Sequence, residues 1–367
     1  MIPRVTATVD LAALRHNLAR VRAFAPHAKV MAPVKADGYG HGAVPVARAL
    51  VAAGVEALAV ACIEEAVVLR DAGIAAPIAL LEGVLSLEEA REAARRHLQV
   101  VVHDPWQLAQ LESLQDASLS IWFKIDTGMN RLGFAPNAVP LLAEALKRRP
   151  AWSFCGWMTH LACADETDNP MSARQIELFD GVLAGKPGAR SIANSAGLLA
   201  WPASRRDWVR PGLMLYGASP MPRQSAAELG LLPAMRLESR LLSIHDVAAG
   251  GSIGYGATYR CERTTRIGIV TAGYADGVLR ALPSGTPLLL RGQRVAMAGR
   301  VSMDMIAVDL GELPAAEVGD SVRLWGEGLP VEEVAHKAGT LAYELFCGLT
   351  KRVHFEYRDS GDEAFPQ

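Results

Sequence analysis

Between Leu11 and Gly217 the chain repeats one unit, a stretch with helical spacing followed by a short apolar run. "LAALRHNLARVRAFA" and "SLEEAREAARRHL" are examples of the helical stretches. The runs are "VMAPVK", "ALAVA", "IALLEG", "VVVHD", "IWFKID", "FCGWMTHL", "RSIANS" and "VRPGLMLYG". A strand that meets water on neither face loses its polar–apolar alternation, so short apolar runs between helices read as parallel strands. Eight of them in roughly 200–250 residues is what a closed (β/α)8 barrel of the TIM type requires. An open doubly wound sheet is the competing architecture, and the strand count favours the barrel.

After Pro222 the texture changes. Short alternating segments such as "RLESRLLSIHDV", "RIGIVTAGYADG" and "DSVRLWG" are punctuated by glycine and proline, the pattern of a mostly β-strand domain. One helix is expected near "PVEEVAHKAGT". The class is therefore α/β, with a barrel over residues 1–225 and a C-terminal β-domain over residues 226–367.

Barrels of this kind present their chemistry at the C-terminal ends of the strands. The ends of the runs carry Lys35, Glu82, His103, Lys124 with Asp126, His160, Asn194 with Ser195, and Arg210. Ionisable groups are costly to bury without partners, so a polar residue near the end of almost every run points to one shared mouth. For His41, His103 and Glu82 a structural role is expected. A lysine that ends a core strand serves as a surface charge, an anion contact or an imine-forming nucleophile. The loops after the last two runs carry "NSAG" and "RPGLMLYG", where the Ser195 hydroxyl and backbone N–H groups near Gly212 suit an oxyanion. A lysine after the first strand and an anion cradle after the last two suggest a phosphorylated aldehyde cofactor, pyridoxal 5′-phosphate.

"VKADGYGHG", "DTGMNRLGF", "THLACADE", "NSAG", "RPGLMLYG", "SIGYGATY", "GYADG" and "RVSMDM" together resemble, in order, the motifs of pyridoxal-phosphate-dependent alanine racemases. The resemblance implies racemisation of L- and D-alanine by a homodimer of barrel-plus-β-domain chains. By the same resemblance Lys35 carries the cofactor and is one catalytic base, and Tyr255 is the second, supplied by the partner subunit. Tyr39, Ser195, Gly212 and Leu213 would hold the phosphate, and Arg210, backed by His160, would face the pyridine nitrogen. Arg131 and Met303 would contact the substrate carboxylate, Tyr274 would shape the entrance, and Lys124 matches a lysine that carries a carbamate in many members.

Two neighbouring activities stay open: a racemase of broad specificity, and an amino-acid decarboxylase of similar layout. Arg210 and the absence of a glycine run in a phosphate loop argue against the decarboxylase. Its 37 basic and 39 acidic residues leave a net charge of −2, without the basic excess that nucleic acids or anionic membrane surfaces recruit. The most apolar region, "ARALVAAGVEALAVACIEEAVVLR", is broken by Gly54, Glu56, Glu64 and Glu65 and does not suit a bilayer span. The N-terminal residues lack the apolar core of a signal peptide, and the five cysteines include no CxxC pair. The chain is expected to be cytoplasmic, with no bound metal.

Overall fold

The computed structural model describes residues 2–114, 117–311, 313 and 315–359. It divides into two compact units, one formed by Arg15–Leu215 and Ser219–Gly230, the other by Met1–Leu14, Tyr216–Ala218 and Leu231–Gln367.

In the first unit, eight parallel strands close a barrel: Lys29–Pro33, Ala57–Val60, Ile78–Leu80, Gln99–Val102, Ser120–Lys124, Ser153–Met158, Ala189–Ser191 and Trp208–Val209. Each matches one of the apolar runs, and closure is made where Lys29 and Val30 pair with Trp208 and Val209. The interior is packed, not hollow. Small side chains at Ala57, Ala59 and Ala79 share one buried cluster with Met31, Val101, Trp122 and Met158, so the bulk of the indole is accommodated by alanines elsewhere in the layer. Trp122 also meets Trp208 edge-on, with ring centroids 5.9 Å apart. The register shifts where Trp122 pairs with Gly156. There φ is 148°, and a Cβ would lie 2.2 Å from the Ala189 carbonyl and 2.8 Å from the Trp122 ring. Only glycine fits that crossing.

The runs overstate the strands at the mouth. "VRPGLMLYG" contributes only its first residue, Val209, to the strand Trp208–Val209 before the chain enters a 3-10 turn at Leu213–Tyr216, because Pro211 and Gly212 end the ladder. Helices begin at side-chain caps just beyond three strands: Ser86 accepts from Glu89 N–H, Asp104 from Trp106 N–H, and Asn194 from Gly197 N–H.

The second unit is built on an eight-stranded sheet. Its order is Thr265–Val270, Ile306–Asp309, Gln293–Met297, Pro287–Leu290, Ser321–Trp325, Met235–Val247, Thr6–Asp10 and His354–Arg358. The 13-residue strand Met235–Val247 also pairs with Thr265–Val270, past a bulge between Leu241 and Ser243. Thr6–Asp10 lies antiparallel to it and parallel to His354–Arg358, so segments near both ends of the chain meet in one sheet. Two helices, Val331–Ala338 and Ala342–Cys347, stand where the sequence led us to expect one. The second is six residues long, too short to show helical periodicity. Among the described residues no helix is long and apolar enough to cross a membrane.

Candidate active site

After Val34 the backbone delivers Lys35, half-buried, and then winds the wrong way. Ala36, Asp37, Gly38 and Tyr39 have φ of 51, 53, 64 and 52° and ψ of 52, 48, 43 and 41°, a turn of left-handed helix. Each non-glycine residue in that conformation costs roughly 1–2 kcal/mol. Local bonds hold it: Gly38 N–H donates to Val34 O at 2.8 Å and Gly42 N–H to Asp37 O at 2.8 Å. Ala43 N–H donates to Asp37 Oδ1 at 2.7 Å. His41 is fully buried, and its Nδ1 donates to the Tyr39 carbonyl at 2.8 Å. Burial pushes its imidazole down from 6.5 to about 4, so it is neutral and works as a brace.

The other strand ends converge as the barrel dictates. Lys124 closes the fifth barrel strand, His160 follows the sixth, and Arg210 follows the eighth. Arg210 is buried. Its Nη1 donates to Ser191 Oγ at 2.5 Å, and its Nη2 donates to Thr159 O at 2.5 Å and to Ile192 O at 3.2 Å. Burial lowers the guanidinium from its ordinary value to about 10, which leaves it protonated at neutral pH. The same Nη2 faces His160 Nδ1 at 3.4 Å. A guanidinium can only donate, so that nitrogen accepts. Burial first, then the charge of Arg210, holds His160 well below its ordinary value, and it is neutral.

Lys124 is buried and feels three cations. Burial, followed by Arg210, Arg131 and Lys35, lowers its ammonium from 10.5 to about 8, with Asp126 opposing. Arg131 itself is exposed, on a loop built around Asp126, whose Oδ1 accepts from Gly128 N–H at 2.8 Å and Asn130 N–H at 3.1 Å. Lys35, Lys124, Arg131 and Arg210 therefore form one positive field, which also acts on His160.

Across the same mouth the left-handed turn brings Tyr39 to the last strand's loop. A Cβ on Gly212 would lie 2.8 Å from Tyr39 Oη. Ser195, placed by the Asn194 cap, accepts from Met214 N–H at 3.3 Å. Leu213 starts the adjoining 3-10 turn. Glu82 and His103 do not join this group through their side chains: His103 Nε2 donates to the Glu82 carbonyl at 2.9 Å and supports a loop.

Tyr255, Tyr274 and Met303 belong to the sheet unit. Tyr255 sits at the tip of the hairpin between Ser252–Ile253 and Tyr259–Arg260, flanked by Gly254 and Gly256 with φ of 70 and 74°. A Cβ on Gly256 would lie 3.1 Å from Arg300 Nη1. Tyr274 N–H donates to Ser302 O at 3.1 Å, and Ala275 N–H to Met303 O at 3.0 Å. The segment 299–303 thus touches both tyrosine-bearing loops. Tyr255, Tyr274 and Met303 are 70, 40 and 52% exposed, a high figure for aromatic and thioether side chains.

Sequence reasoning missed Thr159, Ser191 and Ile192, the groups that aim Arg210. Only Ser191, a polar residue inside the run "RSIANS", uses its side chain and left a signal; Thr159 and Ile192 act through backbone carbonyls, which no sequence pattern marks.

Residues 9–220 match the family model described as "Alanine racemase, N-terminal domain", and residues 234–357 match "Alanine racemase, C-terminal domain". An alanine racemase of Vibrio vulnificus is 48% identical over 356 residues, covering 96% of this chain and 99% of that protein. One from Nitrosococcus oceani is 50% identical over 350 residues, covering 95% and 97%. The crystal structure of a biosynthetic alanine racemase from Pseudomonas aeruginosa superposes with a TM-score of 0.94 at 47% identity, over 97% of this chain and all of that one.

Proposed function

The chain belongs to the alanine racemase family and interconverts L- and D-alanine, and we propose that it does so with two bases, Lys35 and Tyr255, on a pyridoxal 5′-phosphate held at the barrel mouth. The residues fit such a group. The gap at Gly212 leaves room beside Tyr39 Oη that any side chain would fill, Ser195 offers a hydroxyl there, and Lys35, Arg131 and Arg210 bring positive charge to the site. An anionic, phosphorylated ligand suits that donor set.

When bound, pyridoxal phosphate supplies an aldehyde carbon for amines and a ring that draws electrons from the substrate's α-carbon. Lys35 would hold the group through its amine and would serve as the base that moves a proton at one face of that carbon. Tyr255 serves the opposite face, because one base cannot reach both sides of a planar centre. Tyr39, Ser195 and the backbone at Gly212 and Leu213 anchor the phosphate. Arg210, held by Thr159, Ser191 and Ile192 and backed by His160, would be the group offered to the pyridine nitrogen. A guanidinium there would disfavour a proton on that nitrogen, which would weaken the ring's pull and restrain transamination. Arg131 and Met303 meet the substrate carboxylate, and Tyr274 lines the approach.

Lys124 carries a carbamate in this reading. Its neutral amine attacks carbon dioxide, the new N–C bond forms, and one proton leaves for solvent. The negative product then sits among Lys35, Arg131 and Arg210, which disfavour the ammonium it replaces. The barrel thus holds the cofactor and the β-domain supplies Tyr255, with two chains pairing so that each barrel is completed by its partner.

The observation that carries this reading is Lys35 at the entry to a left-handed turn that also delivers Tyr39 to Gly212. Borohydride reduction of the holoprotein followed by peptide mass mapping tests it. The label is expected on Lys35 and is lost in Lys35→Ala, and a label on another lysine overturns the assignment.

A further inference from the structure

The left-handed turn is braced from outside by a residue with no role so far. Glu65 is the third residue of the helix Ile63–Asp71, and it is half-buried. Cys62, the residue at that helix's cap position, makes no side-chain capping bond. Glu65 instead reaches back to the preceding backbone, where its Oε2 accepts from Ala61 N–H at 2.7 Å. One oxygen would suffice for that task, as in a capping box. The other, Oε1, crosses to the neighbouring strand–helix unit and accepts from Ala36 N–H at 2.6 Å.

We propose that Glu65 is a positioning residue, whose carboxylate fixes the left-handed turn and so places Lys35 and Tyr39 together. Ala36 is the first residue of that turn and has a methyl side chain at φ 51°. It gains nothing intrinsically from that conformation. Ala36 is exposed and its N–H could turn to water, but an ionised carboxylate at 2.6 Å, held by its second bond to Ala61, is the stronger and better-placed acceptor. Released, Ala36 relaxes toward ordinary φ, and the change is passed along the turn to Tyr39 and its approach to Gly212. Lys35 precedes the pivot and Tyr39 ends the turn, so both are disturbed at once. The carboxylate contacts neither alanine nor cofactor; it acts through the backbone.

This inference rests on the reading of Lys35 as the cofactor lysine, and the two fail separately. Trapping on another lysine in the unaltered protein removes the reading. Trapping on Lys35, with no effect at Glu65, removes the inference alone. The test is E65Q, which keeps one acceptor oxygen and replaces the other by an amide nitrogen that cannot accept. We expect kcat to fall about tenfold and the dissociation constant for pyridoxal phosphate to rise about tenfold. KM for alanine should change little, because Arg131 lies on a different loop. In the cofactor-free protein, hydrogen exchange across Ala36–Tyr39 should quicken by about tenfold. E64Q, an alteration of the exposed neighbour, should leave all of these unmoved. A lowered melting temperature with unchanged kcat, cofactor affinity and exchange would show that Glu65 only caps its helix and would overturn the proposal. Should E65Q not fold, E65D keeps the charge but retracts both oxygens by a methylene, and is read in the same way.

Discussion

At the scale of single residues, the site depends on which groups are kept neutral and which are kept charged. His41 shows the sign most simply. Its folded value lies near 4 against 6.5 unfolded, so between those limits the unfolded chain binds the extra proton. Its contribution is therefore complete above 6.5 and is lost as the pH falls toward 4, amounting to roughly 3 kcal/mol at the acid end. His160 is depressed too and acts in the same direction. Urea unfolding of the cofactor-free protein between pH 4 and 7 should show this fall, and His41→Asn should flatten it; an equal slope in the variant would count against the burial argument. Lys124, near 8, predicts that carbamate occupancy climbs as pH rises through that value, since only the neutral amine reacts. Carbon-13 NMR with labelled bicarbonate reads the occupancy directly, and an unmodified Lys124 in active enzyme would contradict the assignment. Arg210→Glu removes the donors from the carbonyls of Thr159 and Ile192 and, in the proposed enzyme, would set a carboxylate in place of the guanidinium offered to the pyridine nitrogen. Racemisation should fall by at least about 10²-fold, while the share of turnovers that yield pyruvate rises.

At the scale of elements, the barrel strands were legible because burial on both faces writes itself as unbroken apolarity, and the polar strand ends were legible because they interrupt it. Lys35, Lys124, His160 and Arg210 were all found in that way. The left-handed turn was only half legible. Gly38, Gly40 and Gly42 announce a tight turn, but nothing in the sequence makes Ala36 or Tyr39 adopt positive φ. That choice is imposed by bonds from residues such as Glu65, 29 positions away. The same turn makes Gly212 sensitive. Gly212→Ala would put a methyl 2.8 Å from Tyr39 Oη, so cofactor affinity should fall by about tenfold or more, while Ser86→Ala, a cap on the barrel's far helix, should cost about 1 kcal/mol of stability and leave affinity alone. Equilibrium titration of the cofactor-free variants with pyridoxal phosphate separates the two cases.

At the scale of the whole molecule, the sequence's change of texture near Pro222 anticipated a β-rich second part but not the place of Thr6–Asp10. That strand is short and carries two threonines, and its partners Met235–Val247 and His354–Arg358 lie more than 220 residues ahead, so no local pattern reveals it. Exposure of Tyr255, Tyr274 and Met303 is the large-scale observation that bears on function, since apolar side chains gathered on neighbouring loops are commonly covered by a partner. In the proposed enzyme a second copy of the chain provides that cover, and each site takes Lys35 from one chain and Tyr255 from the other. Complementation tests this most directly. Lys35→Ala and Tyr255→Phe should each lose on the order of 10²–10⁴-fold in activity alone. When the two are unfolded together and refolded, half the dimers are mixed, and each mixed dimer has one intact site and one doubly altered site. Activity should then recover to about a quarter of the unaltered enzyme, whereas no recovery in a sample shown to contain mixed dimers would mean that both bases come from one chain.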